Sequence, residues 1–154
     1  KAYQKEDIPN AIANALKEDS QVLIESFLDG TEVSVGVITY KGKTKVLPIT
    51  EIVSETDFFD YKAKYEGLSQ EITPARITDK QVTAVNKVAK YIYELLDMSG
   101  LSRSDFIFHN GAPHFIEINT NPGLSQESII PKQAKEAGIS LNELFMNTIE
   151  EAIK

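Results

Sequence analysis

Arg103-Ser-Asp105 and, beyond a short hairpin, Glu117-Ile-Asn119-Thr-Asn-Pro-Gly123 are the residues of this chain whose types could do chemistry together. Asp, Glu and Asn supply hard oxygen ligands of the kind Mg²⁺ takes. Arg can hold a phosphate, and a Gly N–H can approach an oxyanion closely. Glu117 would bridge two Mg²⁺ ions, with Asp105 on one and the Asn119 amide oxygen on the other, neutralising phosphate charge. The grouping predicts phosphoryl-transfer machinery.

The hairpin has to aim these groups. Side chains alternate faces along a strand, so the turn decides whether Asp105 and Glu117 meet. A two-residue Asn110-Gly111 turn in plain register would set Asp105 against Ile116 and send the carboxylates to opposite faces. An odd-numbered loop centred on Gly111 would set Asp105 across from Glu117 and Arg103 across from Asn119. We expect the odd loop, against the usual habit of Asn-Gly, with Phe106, Phe108, Ile116 and Ile118 sharing the other face. The plainer reading is a surface hairpin with solvated acids. Arg103, Asn119 and the Pro-Gly loop beside them favour the chemical one.

The remaining elements follow from periodicity. A helix is expected over about 7–18, with Asp7-Ile-Pro as its start signal. Gln21 to Leu28 alternates like a strand, Asp29-Gly30 turns, and Glu32 to Tyr40 forms a strand with Val33, Val35 and Val37 on one face. Lys41-Gly42-Lys43 turns into a strand from Lys45 to Ile52. From Ser54 to Thr78 no pattern holds, which marks a long functional loop. Val82, Val85, Val88, Ala89, Ile92, Leu95 and Leu96 trace a helical stripe within Asp79–Met98. Strands near Arg103–Phe108 and Pro113–Ile118 precede helices near Pro131–Ala137 and Leu141–Ile153, with Gly138 and Ser140 as caps. The fold class is α+β: an antiparallel sheet flanked by helices, with a long lid loop.

Composition narrows the function. The chain has 154 residues, 42% of them hydrophobic, which suits one substantial core. A net charge of −7 argues against nucleic acid as a partner, and Mg²⁺ would still let an acidic protein bind a nucleotide. Absence of Cys removes thiolate sites and Cys nucleophiles. No apolar run nears the roughly 20 residues that cross a bilayer, so no membrane partner and a cytoplasmic location are expected. The chain starts at Lys1, not Met, and reads as a piece of something longer.

Arg-x-Asp, then Glu-x-Asn-Thr-x-Pro-Gly, with Glu25…Gly30-x-Glu32 and Tyr61-x-x-Lys64-Tyr65 upstream, resembles the D-alanine–D-alanine ligase family of the ATP-grasp superfamily. The resemblance runs from about Asp19 to the C-terminus. Glu-x-Asn is shared widely among ATP-grasp proteins, whereas Asn119-Thr-x-Pro-Gly followed by Ser128 is much narrower. It implies ATP-dependent joining of two D-alanines for peptidoglycan synthesis. The first carboxylate takes the γ-phosphate to form an acyl phosphate, and the amine of the second alanine displaces phosphate.

The resemblance also implies roles. Asp105, Glu117 and Asn119 are the ligands for two Mg²⁺ ions, with Mn²⁺ able to substitute. Arg103 and the Gly123 N–H stabilise the oxyanion, while Ser128 and the Ile129 N–H hold the acceptor carboxylate. Glu25, Phe27 and Leu28 pass the adenine edge, Glu32 binds ribose, and Phe106 and Ile116 wall the nucleotide. Lys64 touches phosphate and Tyr65 closes a lid that keeps water out, favouring an amine acceptor over D-lactate. His109, His114 and Arg76 receive no role. The family's N-terminal domain and Gly/Ser-rich phosphate loop have no counterpart here. Residues 1–154 therefore look like the C-terminal part of the ligase domain, inactive alone and partnered by the rest of its own chain, a homodimer being compatible. Another ATP-grasp carboxylate–amine ligase, or a non-catalytic nucleotide-binding module, is the alternative.

Overall fold

The computed structural model describes residues 1–54 and 69–153. A 3₁₀ turn at Lys5–Asp7 leads into α1 (Ile8–Ala15), shorter than the predicted helix. Then come β1 (Thr31–Tyr40), β2 (Lys43–Val46), β3 (Thr50–Ser54), β4 (Ser69–Ile72), α2 (Asp79–Leu95), β5 (Leu101–His109), β6 (Ala112–Asn119), α3 (Ile129–Glu136) and α4 (Leu141–Ala152). Among the described residues no helix is long and apolar enough to cross a membrane.

The strands form one antiparallel sheet in the order β4-β3-β1-β5-β6, with β2 also paired to β1. β1 is its spine, buried on both sides from Val33 to Ile38. Its alternation splits the interior in two. Val33, Val35 and Val37 join Phe106 and Phe108 of β5 against Val85, Ala89 and Tyr93 of α2. On the other side Ile38 packs with Leu47, Ile130, Ala134, Ile139 and Leu144, which seats α3 and α4.

Three expectations change here. The strand predicted from Lys45 to Ile52 is broken: β2 and β3 pair with different ends of β1, and Leu47–Ile49 bridges them. The helical stripe holds through Val85 and Ala89, but Leu95 and Leu96 are 64% and 55% exposed and Tyr93 fills the last core position. The helix stops at Leu95 and Asp97 takes a positive φ, so Leu96 does not continue the core-facing stripe. Gln21–Leu28 forms no strand, and Leu23 and Ile24 stay exposed. An alternating segment becomes a strand only where a neighbour accepts its backbone hydrogen bonds. β4 lies within the stretch that had shown no pattern.

Helix boundaries follow local chemistry. Thr78 caps α2 in a reciprocal box with Gln81, and the Ser140 side chain accepts from the Glu143 N–H at 3.1 Å at the start of α4. Gly138, with φ +75°, ends α3 as expected.

Candidate functional site

The hairpin between β5 and β6 turns through two residues, Asn110 (φ 51°) and Gly111 (φ 79°), with His109 paired to Ala112. The odd loop is therefore wrong, and the local preference of Asn-Gly for a tight turn prevails. Yet Asp105 does stand opposite Glu117, and Arg103 opposite Asn119. A β-bulge reconciles the two. Phe106 pairs with Phe115, Asp105 with Glu117, and Ile116 is the extra residue between them. One inserted residue shifts the register so that both carboxylates face the same side.

Two further expectations change. Phe106 is fully buried under α2, with Phe115 edge-on at 5.8 Å between ring centroids, and cannot wall a site on the opposite face. Ile116 does not share its face; it lies 46% exposed beside Glu117. Ile107, two residues from Asp105 and paired with Glu32, is the apolar residue that β5 presents on the Asp105 side.

Around these groups lies a cavity of about 560 Å³. β1 contributes Glu32 and Ser34, β5 Arg103 and Asp105, and the end of β6 Asn119. The following loop and the start of α3 contribute Gly123, Ser128 and Ile129. Arg103 grips Asp105 with two prongs, Nε to Oδ1 at 3.1 Å and Nη2 to Oδ2 at 2.8 Å. Both side chains are only 13% exposed. The Ser34 hydroxyl donates to Asp105 Oδ1 as well. Glu117 is 64% exposed and lies 3.9 Å from Arg103 Nη2, outside the set of residues that line the cavity. The Asn119 side-chain oxygen accepts from the Asn121 N–H at 2.9 Å, shaping the loop toward Gly123.

Charge is unevenly balanced in this pocket. Glu32 is pushed up to about 7, chiefly by burial and next by the negative charge of Asp105; Arg103 pulls it back and Glu117 adds to the rise. One guanidinium thus serves three carboxylates, and the pocket favours an added cation.

Its far wall is a helix start. Ser128 precedes α3 but makes no capping bond; its Oγ lies 2.8 Å from that of Ser125. Pro131 stands at the third helical position, so the N–H that a capping Ser would often satisfy does not exist. The first amides of the helix have no intrahelical acceptor. Gly123 lies against Ser128, where a Cβ would meet Oγ at 2.8 Å.

Not every expected residue joins this cavity. Glu25 lines a separate space of about 200 Å³ against α1, Phe27 is 58% exposed beneath the Lys1 ammonium, and Leu28 is half-buried. Their segment runs outside the sheet, which is why they stay apart from the carboxylates. Lys64 and Tyr65 lie outside the described residues. His109 and His114 stack edge-on at the hairpin tip, away from the cavity, with His109 Nδ1 2.8 Å from the Asp29 carbonyl. Sequence reasoning missed Glu71, Ile107 and Glu127, of which Glu71 and Glu127 line the cavity and both pair with Lys132. The two-residue spacing of Ile107 from Asp105 would have revealed its face. Arg76 forms a forked pair with Glu51, at 2.8 and 3.0 Å, and the guanidinium holds the Glu51 carboxyl below its usual range.

Known proteins match this chain along nearly its whole length. The family model described as the D-ala D-ala ligase C-terminus matches residues 1–150. A D-alanine–D-alanine ligase of Christiangramia forsetii is 60% identical over 153 residues, 99% of this chain and 47% of that protein. The crystal structure of the Bacillus anthracis D-alanine–D-alanine ligase complexed with ATP superimposes with a TM-score of 0.80 at 32% identity, covering 99% of this chain and 49% of that one. The VanG D-Ala:D-Ser ligase of Enterococcus faecalis gives 0.80 at 31% identity, covering 96% and 43%. The chain thus spans about half the length of the relatives it matches. With its α+β fold shared across these ligases, the chain belongs to the D-alanine–D-alanine ligase C-terminal family.

Proposed function

We propose that this chain is the C-terminal half of an ATP-dependent D-alanine–D-alanine ligase acting in peptidoglycan synthesis, and that it carries the metal and acceptor part of the active site. The observation that supports this best is the single cavity in which Arg103, Asp105 and Asn119 meet Gly123, Ser128 and Ile129. The remaining half of the protein would bring the N-terminal domain and phosphate loop, so the isolated chain has little or no ligase activity.

The donor set fits Mg²⁺. Asp105 Oδ2 accepts one bond from Arg103 and keeps a lone pair, Asn119 Oδ1 keeps one beside its bond to Asn121, and Glu117 is open to solvent. Among the described residues no three acidic or imidazole groups form a closed metal cage. A hard cation here would complete its shell with water and phosphate oxygens, as Mg²⁺ prefers. Asp105, Glu117 and Asn119 would hold it, two ions being accommodated through Glu117. When bound it supplies charge neutralisation to the nucleotide phosphates.

The chain's own residues then divide the work. Arg103 keeps its uncommitted N–H donors free while Asp105 locks its plane, so it offers a fixed cation to an oxyanion in the cavity, together with the Gly123 N–H. Ser128 and the Ile129 amide, at an uncapped helix N-terminus, suit a carboxylate, and the helix dipole favours the same charge. Holding the acceptor by its carboxylate leaves its amine free to attack the acyl phosphate. Glu32 and Ile116 border the nucleotide, with Ile107 in the place assigned to Phe106. Glu25, Phe27 and Leu28 contribute to the adenine edge in the full-length protein, and Lys64 and Tyr65 close the lid.

The similarity to a D-Ala:D-Ser ligase favours one second reading, an acceptor other than D-alanine. Phosphate and ADP release by the full-length protein, measured with D-alanine, D-serine and D-lactate, separates the two. Release that no D-amino acid stimulates would overturn both. Glu117→Gln in the same assay tests the metal assignment, since unchanged turnover removes it.

A further inference from the structure

We propose that Gln133, which does not itself line the cavity, is a positioning residue that sets the distance between the Ser128 end and the Asp105 end of the site. It rests on the ligase reading for what the cavity binds, but its basis lies elsewhere, at the break in the sheet. Between β2 and β3 the chain leaves β1, and Gly36 keeps a strand-like bond only through its carbonyl, which accepts from the Leu47 N–H at 2.8 Å. Its N–H is met instead by Gln133 Oε1 at 3.0 Å. The Gln133 Nε2 donates to the Ser34 carbonyl at 2.9 Å and to Thr50 Oγ1 at 3.0 Å. Thr50 Oγ1 lies 2.7 Å from Thr73 Oγ1.

The side chain is completely buried, and its amide can sit only one way round. Reversed, it would face the Gly36 N–H with a donor and the Ser34 carbonyl with an acceptor. Two of these bonds link α3 to the backbone of β1, and the third links it to the Thr50 hydroxyl of β3. Ser34 also holds Asp105 through its hydroxyl, and Ser128 and Ile129 begin the helix that carries Gln133. One amide therefore ties the acceptor-side helix to the strand beneath the Arg103–Asp105 pair. Gly36 makes the approach feasible, because a Cβ there would overlap both Gln133 Oε1 and Ile130 Cδ1. An apolar residue of the same length would fill the space and satisfy none of the three partners, so the helix would lose its fixed height over the sheet.

The test is Gln133→Met in the full-length protein, with Gly36→Ala as an independent way to displace the same helix. Expected for both is a rise of about tenfold in the KM of the acceptor amino acid, with the KM for ATP within about twofold of the parent, because moving the start of α3 misplaces the acceptor subsite. Amide exchange at Gly36 should speed up at least tenfold in Gln133→Met. A lower Tm with both KM values unchanged, or with both raised equally, would overturn the proposal. If the unsubstituted protein shows no D-amino-acid-dependent ADP release, the ligase reading fails by itself. Gln133 is then judged by exchange: faster exchange at Gly36 and through α3 supports it, and unchanged exchange overturns it.

Discussion

On strand β1, Val33, Val35 and Val37 enter the core beneath α2, while Glu32, Ser34 and Gly36, interleaved with them, face the cavity and α3. The same holds on β5, where Phe106 and Phe108 go one way and Arg103, Asp105 and Ile107 the other. The α2 face is mostly apolar at near-complete burial, with the buried Ser102 and Ser104 as its polar members, so its residues answer mainly to volume. The cavity face holds charged groups whose pairings leave one carboxylate, Glu32, with its proton affinity raised. Substitutions two residues apart should therefore fail differently, one through stability and the other through chemistry.

The largest effect is expected on the packed face. Phe106→Ala should cost about 3–5 kcal/mol of stability, from lost burial and an unfilled hole, measured by denaturant unfolding. A cost near zero would mean the two faces are not divided as described. Next comes its neighbour on the other face. Asp105→Asn should lower kcat of the full-length ligase by about 10²–10³ and, because Arg103 loses its paired charge, should also cost stability, though less than Phe106→Ala. A matching loss of stability would blur the comparison.

Glu32 sharpens it through pH. In the folded chain its carboxyl keeps the proton until about pH 7, against 4.5 for the ordinary group. Folding then takes up a proton between those values, so stability falls as pH rises through this window and the full cost applies above 7. Glu32→Gln should be more stable than the parent by about 1–2 kcal/mol at pH 8 in metal-free buffer, a figure reduced for partial solvent contact. The two should converge below pH 4.5. A constant difference across that range would sink the assignment. The smallest effect lies away from both faces. Ser140→Ala removes the cap of α4 and should cost about 1 kcal/mol, with turnover unchanged.

Much of this was legible in the chain. The valine alternation of β1, the stripe of α2 and the caps at Gly138 and Ser140 are local signals, and local structure follows them. The opposition of Asp105 to Glu117 was anticipated for the wrong reason. The turn obeys Asn110-Gly111, and the extra residue is absorbed at Ile116, where no residue type announces a bulge. Phe106 was assigned to the nucleotide by the family resemblance, although as the strand neighbour of Asp105 it points to the opposite face. Placing the start of α3 at Pro131, two residues late, concealed that a Pro in the third position frees Ser128 from capping. Gln133 gave no signal at all, since its partners lie 83 to 99 residues away.

Taken alone, the order of amino acids determined which chemical groups exist, which of them share a strand, and which family they place the chain in. Those properties depend on covalent neighbours and short periodicities. Tertiary structure decided which groups meet: the bulge that brings Glu117 opposite Asp105, the break that opens β1 to Gln133, and the burial that makes Glu32 hold its proton. Each depends on contacts between segments far apart in the chain, where packing and desolvation outweigh local preference.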